Sequence, residues 1–338
     1  MAKRWRVRPE HSNWGDFGED DQIGRLNLIT PERRRKAAEE IREGLAFCLS
    51  LPLDLPGGNL LVPERLPPAR TIAPMPAGHY FVNFPMAAQN DHWTDFVCDD
   101  AVTIYTQYST QWDALSHIAE AFDADQDGKD EIVYYNGYRA GSDIVGPDDS
   151  GAPGAKKLGI EHMAETCVQG RGVMVDLHAH FGSRRKFVGY DDLMRIMDED
   201  NVAVEAGDVL CLHTGWSHAV AEMKGKPDAP TLHDAYAVLD GADEHLLHWI
   251  DTSGVAALVA DNFAVEGMQH HGHTHNFAAL PIHRRCIVEL GIHLGELWHL
   301  TPLNKWLKEH GRSRFFLTAP PLRLPGSFGS PLTPVATV

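Results

Sequence analysis

The sequence predicts a mixed α/β fold. In the second half of the 338-residue chain, short apolar segments alternate with amphipathic ones. Several of the apolar segments end in a polar residue, and no internal repeat or low-complexity tract interrupts them. Alternation of this kind is typical of layered α/β or mixed α+β folds, whose strands are buried beneath helices.

We predict one domain, residues 1–338, which opens with an N-terminal arm of residues 1–20. The first helix follows Thr30, whose hydroxyl can cap the free amides, and Pro31 suits the first turn. Gly44 should end this helix, and a strand is predicted over residues 46–53. Residues 54–100 are rich in proline and glycine, which predicts extended loops and short strands, and residues 102–108 predict another strand.

The later elements follow from hydrophobic periodicity. Short apolar runs predict buried strands, and apolar residues at helical spacing predict amphipathic helices. The predicted strands span residues 172–176, 209–213, 255–260 and 292–297, and the predicted helices span residues 190–199, 244–253 and 281–290.

Composition limits the classes of partner. Thirty basic and 47 acidic residues give a net charge of −17, which repels nucleic acids and anionic membranes. The longest apolar runs fall far short of the roughly 18–20 residues that span a bilayer. Five scattered cysteines without a C-x-x-C pair fit reduced core residues. We therefore expect a cytoplasmic protein that binds a small molecule, and neither nucleic acid nor a membrane.

Twenty histidines make this residue type unusually frequent, and three segments concentrate reactive side chains. In the first, Asp113 and His117 lie four positions apart after a predicted strand. They can direct a carboxylate and an imidazole to one point, for a divalent cation or for acid–base catalysis. A helix cap and a surface histidine would give the same pattern.

The other two segments are less specific. His271, His273 and His275, with His270 beside them, would share a face of an extended segment and could chelate a metal, or they could belong to a loop at the border of a pocket. His283 and Glu296 could form a buried pair, or be a helix-surface histidine and a solvated glutamate. The acidic segment 123–131 has the spacing of a calcium loop but lacks the glutamate at its twelfth position, so we expect no calcium there.

The stretch Gln107-Tyr-Ser-Thr-Gln-Trp-Asp-Ala-Leu-Ser-His117 resembles the motif H-x-G-T-H-x-D-A-P-x-H of the cyclase family of metal-dependent amide hydrolases, which includes kynurenine formamidase and isatin hydrolase. Further segments resemble family signatures in the same order, and together they cover roughly residues 20–335. They are residues 24–31, 171–176, 206–216, 280–283, 294–298, 319–322 and 329–331.

The resemblance implies a swivelling β/β/α fold with a mixed β-sheet core and flanking helices. Gln107 and Gln111 stand where both family histidines bind metal, as in a family subgroup with a T-Q-W-D core. The family pattern then implies one divalent metal (Mn, Zn or Mg) held by Asp113, His117, His283 and Glu296, with the amide oxygen of Gln111. An oxygen-rich ligand set favours manganese or magnesium over zinc.

The resemblance also implies a hydrolase that cleaves the C–N bond of a small amide, lactam or aryl-formamide, with His117 and Asp113 as catalytic residues. The alternatives are a metal-independent lactonase or dehydratase, and a non-catalytic binding protein on the same scaffold. Family members are commonly dimers or tetramers, so we expect a homodimer or homotetramer. The candidate substrate-binding residues are Gln107 and the aromatic residues Trp112, Tyr134, Tyr135, Trp216, Phe263 and Trp298.

Overall fold

The computed structural model describes residues 3–73, 81–268 and 278–338. Its strands are β1 (Ala46–Cys48), β2 (Ala69–Ile72), β3 (Phe84–Pro85), β4 (Phe96–Val97), β5 (Asp100–Thr103), β6 (Gln111–Asp113), β7 (Glu120–Phe122), β8 (Glu131–Val133), β9 (Ile144–Val145), β10 (Gly154–Ala155), β11 (Gln169–Asp176), β12 (Lys186–Val188), β13 (Val209–His213), β14 (Ala237–Leu239), β15 (Ala257–Ala260), β16 (His293–Glu296), β17 (Arg314–Thr318), β18 (Gly329–Pro331) and β19 (Val335–Thr337).

Nine α-helices accompany these strands in the described part of the chain. They are α1 (Pro31–Ala38), α2 (Ile160–Glu165), α3 (Leu177–Phe181), α4 (Tyr190–Glu199), α5 (Trp216–Met223), α6 (Ala229–Asp234), α7 (Glu244–Ser253), α8 (Pro281–His283) and α9 (Thr301–Glu309). A π-helix, Arg284–Glu289, continues directly from α8. None of these helices has the length and apolar character needed to cross a membrane.

A nine-stranded mixed sheet organises the fold, in the order β1-β19-β17-β11-β13-β15-β16-β6-β18. The four central strands β11, β13, β15 and β16 run parallel to one another, and β6 pairs antiparallel with β16 and with β18. Since parallel strands end at the same edge of a sheet, the polar residues that close them gather there. Asp176 lies opposite His213 in this register, and Gln111 lies opposite Glu296.

Apolar residues fill both faces of the sheet because side chains alternate along each strand. Leu210, Leu212 and Leu258 pack into one core, whereas Met174 and Cys211 pack into the core on the other face. The prediction of a mixed α/β fold, with a mixed sheet and flanking helices, is confirmed.

Most of the predicted elements in the second half agree with the structure. The helices at 190–199 and 244–253 and the strand at 209–213 have the predicted bounds. The strands over 172–176, 255–260 and 292–297 correspond to β11, β15 and β16, with ends that differ by one to three residues. The predicted helix 281–290 is one α-helical turn followed by the π-helix.

Three elements predicted in the first half of the chain, one helix and two strands, have different bounds in the structure. The side chain of Thr30 caps α1 as predicted, but α1 ends at Ala38 rather than before Gly44. Beyond Ala38 the amides of Glu39, Glu40 and Ile41 each donate to the carbonyl three residues earlier, and the amides of Glu43 and Gly44 donate to the carbonyl of Val338 at 3.1 and 2.8 Å. The predicted strand 46–53 is only β1, and the predicted strand 102–108 lies earlier, at β5.

One segment stands apart from both cores. Among the described residues from 62 to 106, no side chain is buried. The pairs β2–β5 and β3–β4 account for its regular structure. Trp93, Phe96 and Val102 are exposed on it. This peripheral segment therefore lacks the packing that stabilises the rest of the described chain.

Candidate functional site

The structure brings Asp113, His283 and Glu296 together at one point. β6 carries Asp113, the neighbouring strand β16 ends at Glu296, and α8 supplies His283. One ligand atom from each side chain lies within 4.8 Å of the others. All three residues are buried, so the cluster lies inside the protein at the edge where the central strands end.

The Asp113 carboxyl group is fully buried, and neither of its oxygens has a hydrogen-bond partner in the described chain. Burial raises its pKa; the nearby imidazole of His117 opposes this shift and the Glu296 carboxyl group adds to it. A buried carboxyl group without partners is costly. The carboxyl group of Asp113 is therefore free to bind a ligand.

The imidazole of His283 lies between two carboxyl groups. Its Nδ1 is 2.8 Å from Glu266 Oε1, and its Nε2 is 3.2 Å from Glu296 Oε1. Asp113 Oδ2 lies 3.9 Å from the same Nε2. Burial disfavours the protonated ring, but the hydrogen bonds with Glu266 and Glu296 outweigh it and raise the pKa of His283 to about 10.

Glu266 is a residue that sequence reasoning missed. Besides the ring of His283, its Oε1 accepts the backbone N–H of His283 at 2.8 Å, and its Oε2 accepts that of Ile282 at 2.9 Å. This buried carboxyl group thus fixes both the backbone and the ring of His283. The sequence could have indicated Glu266, because it is the single charged residue in the apolar run 263–267 and a buried glutamate needs a partner.

Gln111 faces the same cluster. Its amide Nε2 donates to Glu296 Oε2 at 3.0 Å, and its buried Oε1 has no partner among the described residues. Because the amide group faces Glu296 with its nitrogen, the carbonyl oxygen remains available as a ligand atom.

The charge of the cluster favours a cation. Asp113, Glu266 and Glu296 contribute three buried carboxyl groups, and the imidazole of His283 lies within 4.0 Å of all three. Buried charges are stable when they are paired or coordinate a metal. Carboxylate and amide oxygens with one imidazole nitrogen suit a divalent cation, with hard ions favoured.

A cavity of about 530 Å³ adjoins the cluster through Gln107 and His117. The amide Nε2 of Gln107 lies 3.3 Å from His117 Nδ1. His117 is partly buried, lines this cavity, and is close enough to Asp113 to affect its carboxyl group. Its position therefore fits a group that acts on a molecule in the cavity. The cavity is lined by Thr106, Gln107, Ser116, His117, Tyr134, Ala140, Ile144, Val145, Gly146, Asp149 and Phe328.

Of the aromatic residues predicted to bind substrate, Tyr134 lines the cavity. Trp112 and Trp298 need correction: they are fully buried and pack edge-to-face in the core, with the indole N–H of Trp112 bonded to the Ala319 carbonyl. Trp112 lies between Gln111 and Asp113 on β6, so alternation turns it to the opposite face.

Tyr135 and Trp216 are also core residues. The hydroxyl of Tyr135 donates to Asp21, and the indole N–H of Trp216 donates to the Leu232 carbonyl. Phe263 packs beside Trp216 in the same small cluster. The predicted histidine segment His270–His275 lies outside the described residues.

A second polar cluster lies on the other face of the sheet. His213 Nδ1 is 2.8 Å from Asp176 Oδ1, and His213 Nε2 is 2.9 Å from Thr301 Oγ1. Lys308 Nζ donates to Asp176 Oδ2 at 2.9 Å. The sequence indicated these polar strand ends but not their pairing. Because Asp176 already has two basic partners, this cluster satisfies its own charge.

The pKa values of His213 and Asp176 shift in opposite directions. Burial disfavours protonated His213, but the carboxylates of Asp176 and Asp261 outweigh it and raise the pKa of His213. Burial likewise disfavours ionised Asp176, yet its bonds with His213, Asn304 and Lys308 lower the pKa of this carboxyl group. The folded protein therefore favours an ion pair that joins β11 to β13.

The chain is similar to known proteins of one family. Residues 49–267 match the family described as "Putative cyclase". A solved structure described as a novel cyclase is 33% identical, with 97% of this chain and 99% of that chain covered and a TM-score of 0.76. Among the curated proteins compared with the sequence, none matches it.

Two more distant structures share the fold. Isatin hydrolase A from Ralstonia solanacearum is 17% identical, with 91% of this chain and 97% of that chain covered and a TM-score of 0.54. Isatin hydrolase A from Labrenzia aggregata bound to benzyl benzoate is 12% identical, with 89% and 95% covered and a TM-score of 0.53.

The His213–Asp176 pair predicts a pH-dependent stability. Because folding raises the pKa of His213 above its ordinary 6.5, its contribution is fully present below that pH and is lost as pH rises through the folded value. Urea unfolding of the wild type and of His213→Gln from about pH 5 to about pH 9 should show a difference in unfolding free energy that is largest at the acidic end. A difference that grows with pH would contradict this assignment.

Proposed function

Because the chain belongs to the cyclase family, we propose that it is a hydrolase that cleaves the C–N bond of a small amide, lactam or aryl-formamide with the help of one divalent metal ion. The observation that carries the proposal is the buried Asp113 carboxyl group, which lies next to His283 and Glu296 and whose two oxygens have no hydrogen-bond partner in the part of the chain that the structure describes. The names of the isatin hydrolases that share its fold support a hydrolase.

Asp113, His283 and Glu296 would hold the ion, and Gln111 would add its free amide oxygen. A bound divalent cation would supply Lewis acidity and lower the pKa of water. The oxygen-rich set favours manganese or magnesium over zinc. His117, which the resemblance also suggests as a ligand, lies in the cavity wall beside Gln107, and we assign it to proton transfer instead.

The remaining chemistry belongs to the side chains of the cavity. Hydrolysis adds the oxygen of water to the amide carbonyl carbon and breaks the C–N bond. His117 accepts a proton from the attacking water and returns it to the leaving nitrogen, so that the products are a carboxylic acid and an amine. The Gln107 amide next to His117 Nδ1 orients the imidazole for this transfer.

Metal titration tests the proposed site. Calorimetry of chelator-treated protein with Mn²⁺, Mg²⁺ and Zn²⁺ should show about one ion per chain, and Asp113→Asn should abolish the binding because it removes a charged ligand. Glu266→Gln should weaken the binding by about 10- to 100-fold, since Glu266 orients His283.

Asp123→Asn is the matched control, because Asp123, Asp125 and Asp127 form a second acidic group in a more exposed turn. Loss of the ion in Asp123→Asn but not in Asp113→Asn would move the site to that turn. Absence of binding with all three ions would leave the metal-assisted hydrolase without support and favour a metal-independent enzyme or a binding protein.

Substitution of His117 tests the proton transfer. On any amide that the wild type hydrolyses, His117→Ala should lower kcat by about 10²–10⁴, because the leaving nitrogen loses its proton donor. Metal stoichiometry should remain unchanged. His248→Ala, at an exposed position on α7, is the control. Unchanged turnover in His117→Ala would exclude this role.

We further propose that the chain forms a homodimer or homotetramer through the peripheral segment of residues 62–106. Short paired strands with no buried side chain are marginally stable alone, and exposed aromatic residues mark contact surfaces. Phe96 is 68% exposed and Trp93 is 44% exposed.

Light scattering after gel filtration tests this arrangement. The wild type should elute as a dimer or tetramer, and Trp93→Ser combined with Phe96→Ser should shift it toward the monomer, because the contact loses its apolar area. Ile132→Ser, at an apolar residue on β8 whose exposed fraction lies between those of Trp93 and Phe96, should leave the assembly intact. A monomeric wild type would contradict the proposal.

A further inference from the structure

Two of the three residues of the candidate metal cluster lie at the ends of one stretch of chain. α8 ends at His283, the π-helix Arg284–Glu289 follows it, and β16 ends at Glu296. The two side chains meet at a distance of 3.2 Å between His283 Nε2 and Glu296 Oε1. Their separation therefore depends on how the residues between them are held.

The end of the π-helix needs hydrogen-bond partners from elsewhere in the chain. The hydrogen bonds of a π-helix span five residues, so the carbonyl groups of its last turn have no partner within the helix. The indole N–H of Trp14 donates to the Val288 carbonyl at 2.7 Å. The backbone N–H of Asn13 donates to the Glu289 carbonyl at 3.0 Å, and its side-chain amide donates to the Leu290 carbonyl at 2.8 Å. Two residues near the N-terminus thus cap the π-helix.

A contact between two glycines holds the connection from the π-helix to β16. Gly24 and Gly291 both have a positive φ, at 54° and 61°. A Cβ on Gly24 would overlap the Gly291 carbonyl, and a Cβ on Gly291 would lie 2.7 Å from Gly24 Cα. The backbone N–H of Arg25 donates to the same carbonyl at 2.8 Å. The two backbones can approach this closely because neither residue has a side chain.

Tyr135 secures the same contact from a third segment of the chain. Its ring packs against Gly291, where a Cβ would lie 2.7 Å from Tyr135 Cε2. Its hydroxyl donates to Asp21 Oδ2 at 3.0 Å, and the same oxygen accepts the backbone N–H of Gly24 at 2.8 Å. Tyr135 and Asp21 therefore hold the two glycines against each other.

Arg25 anchors this network to α7. Its guanidinium group donates to the carbonyl of Ile250 at 2.9 Å and to that of Asp251 at 2.6 Å. Ile250 is buried in the same core as Leu210 and Leu212 of the sheet, so the anchor is a fixed part of the fold. We call the following residues the N-terminal clamp: Asn13, Trp14, Asp21, Gly24 and Arg25.

We propose that the N-terminal clamp sets the separation of His283 and Glu296 and so holds the metal cluster in its binding geometry. Its members are positioning residues, because they act on the ligands through the π-helix and the connection to β16. Metal affinity depends on such outer partners, since they orient the ligands before an ion binds. The inference rests on the proposed function, which assigns a divalent ion to this cluster.

Metal titration of two clamp variants tests the proposal. By calorimetry of chelator-treated protein, Gly24→Ala should bind Mn²⁺ about 10- to 100-fold more weakly than the wild type, because its Cβ pushes the Gly291 backbone away. Asn13→Ala should show a smaller loss, since it removes one hydrogen bond and keeps the glycine contact. This milder variant keeps the test decisive if Gly24→Ala does not fold.

Gly57→Ala is the matched control for a general loss of stability. Gly57 also has a positive φ, and a Cβ on it would overlap the carbonyl of Gly225, which lies outside the stretch 281–296. The substitution should lower the urea midpoint as Gly24→Ala does, because both place a Cβ against backbone at a left-handed position. Its affinity for Mn²⁺ should equal that of the wild type.

Two measurements on the metal-free protein test the clamp without an ion. In proton NMR, the Nδ1–H of His283, which lies 2.8 Å from Glu266 Oε1, should shift in both clamp variants and keep its position in Gly57→Ala. By hydrogen exchange, the amides of Leu290 and Ile292 should exchange several-fold faster in the clamp variants than in the wild type, because their bonds to Arg285 and Cys286 lie at the capped end of the π-helix.

Wild-type Mn²⁺ affinity in both clamp variants, with the His283 signal and the exchange rates unchanged, would overturn the inference. An equal loss of affinity in Gly57→Ala would also overturn it, because affinity would then follow overall stability. The proposed function fails separately. If the wild type binds none of Mn²⁺, Mg²⁺ and Zn²⁺, the metal-assisted hydrolase loses its support, and the metal-free measurements still decide whether the clamp positions His283.

Discussion

The antiparallel pairing of β6 with β16 is the constraint on which the candidate site depends. It places Gln111 opposite Glu296 and Trp112 opposite Gly295, so that Gln111 and Asp113 share a face with Glu296 while Trp112 enters the other core. Gly295 makes this fit possible, since a Cβ there would lie 3.0 Å from the Trp112 ring. A slip of one residue would bury Asp113 among apolar side chains and move the indole into the site. The register that packs Trp112 into the core on one face therefore also places Gln111 and Asp113 beside Glu296 on the other face.

The same edge of the sheet carries two polar clusters, and the balance of charge distinguishes them. Asp176 has His213 and Lys308 as partners, which makes its cluster a self-contained connection between strands and α9. Asp113, Glu266 and Glu296 share His283 as a basic neighbour, and within the described ranges the oxygens of Asp113 have no hydrogen-bond partner. Because the protein interior has a low dielectric constant, an excess of buried carboxyl groups over basic groups costs free energy. A bound cation would therefore stabilise the Asp113 cluster more than the Asp176 cluster.

Local sequence patterns predict part of the site, and contacts between residues that are distant in the sequence determine the rest. The motif 107–117 and the pair His283 and Glu296 indicated the cluster, and alternation along β6 could have excluded Trp112, because it lies between two residues assigned to the site. Long-range contacts were beyond sequence reasoning. Tyr135 is held in the core by Asp21, more than 100 residues away, and the role of Glu266 requires α8 to present two backbone amides. The mixed α/β fold followed from local periodicity, whereas the path of the chain after α1 includes bonds from Glu43 and Gly44 to the carbonyl of Val338, which local patterns do not predict.

The two glutamines stand where the resemblance places metal-binding histidines, and they share one arrangement. Each donates from its NH₂ group to an acceptor of the protein, Glu296 for Gln111 and the Phe328 carbonyl for Gln107. Neither carbonyl oxygen has a hydrogen-bond partner among the residues that the structure describes. Gln111 lies beside the acidic cluster, and Gln107 is one of the residues that line the cavity. Unlike imidazoles, amides carry no charge and do not titrate in the physiological range. In the proposed site, the replacement puts two uncharged amides where the resemblance places two imidazoles, and the polarity of both positions is independent of pH.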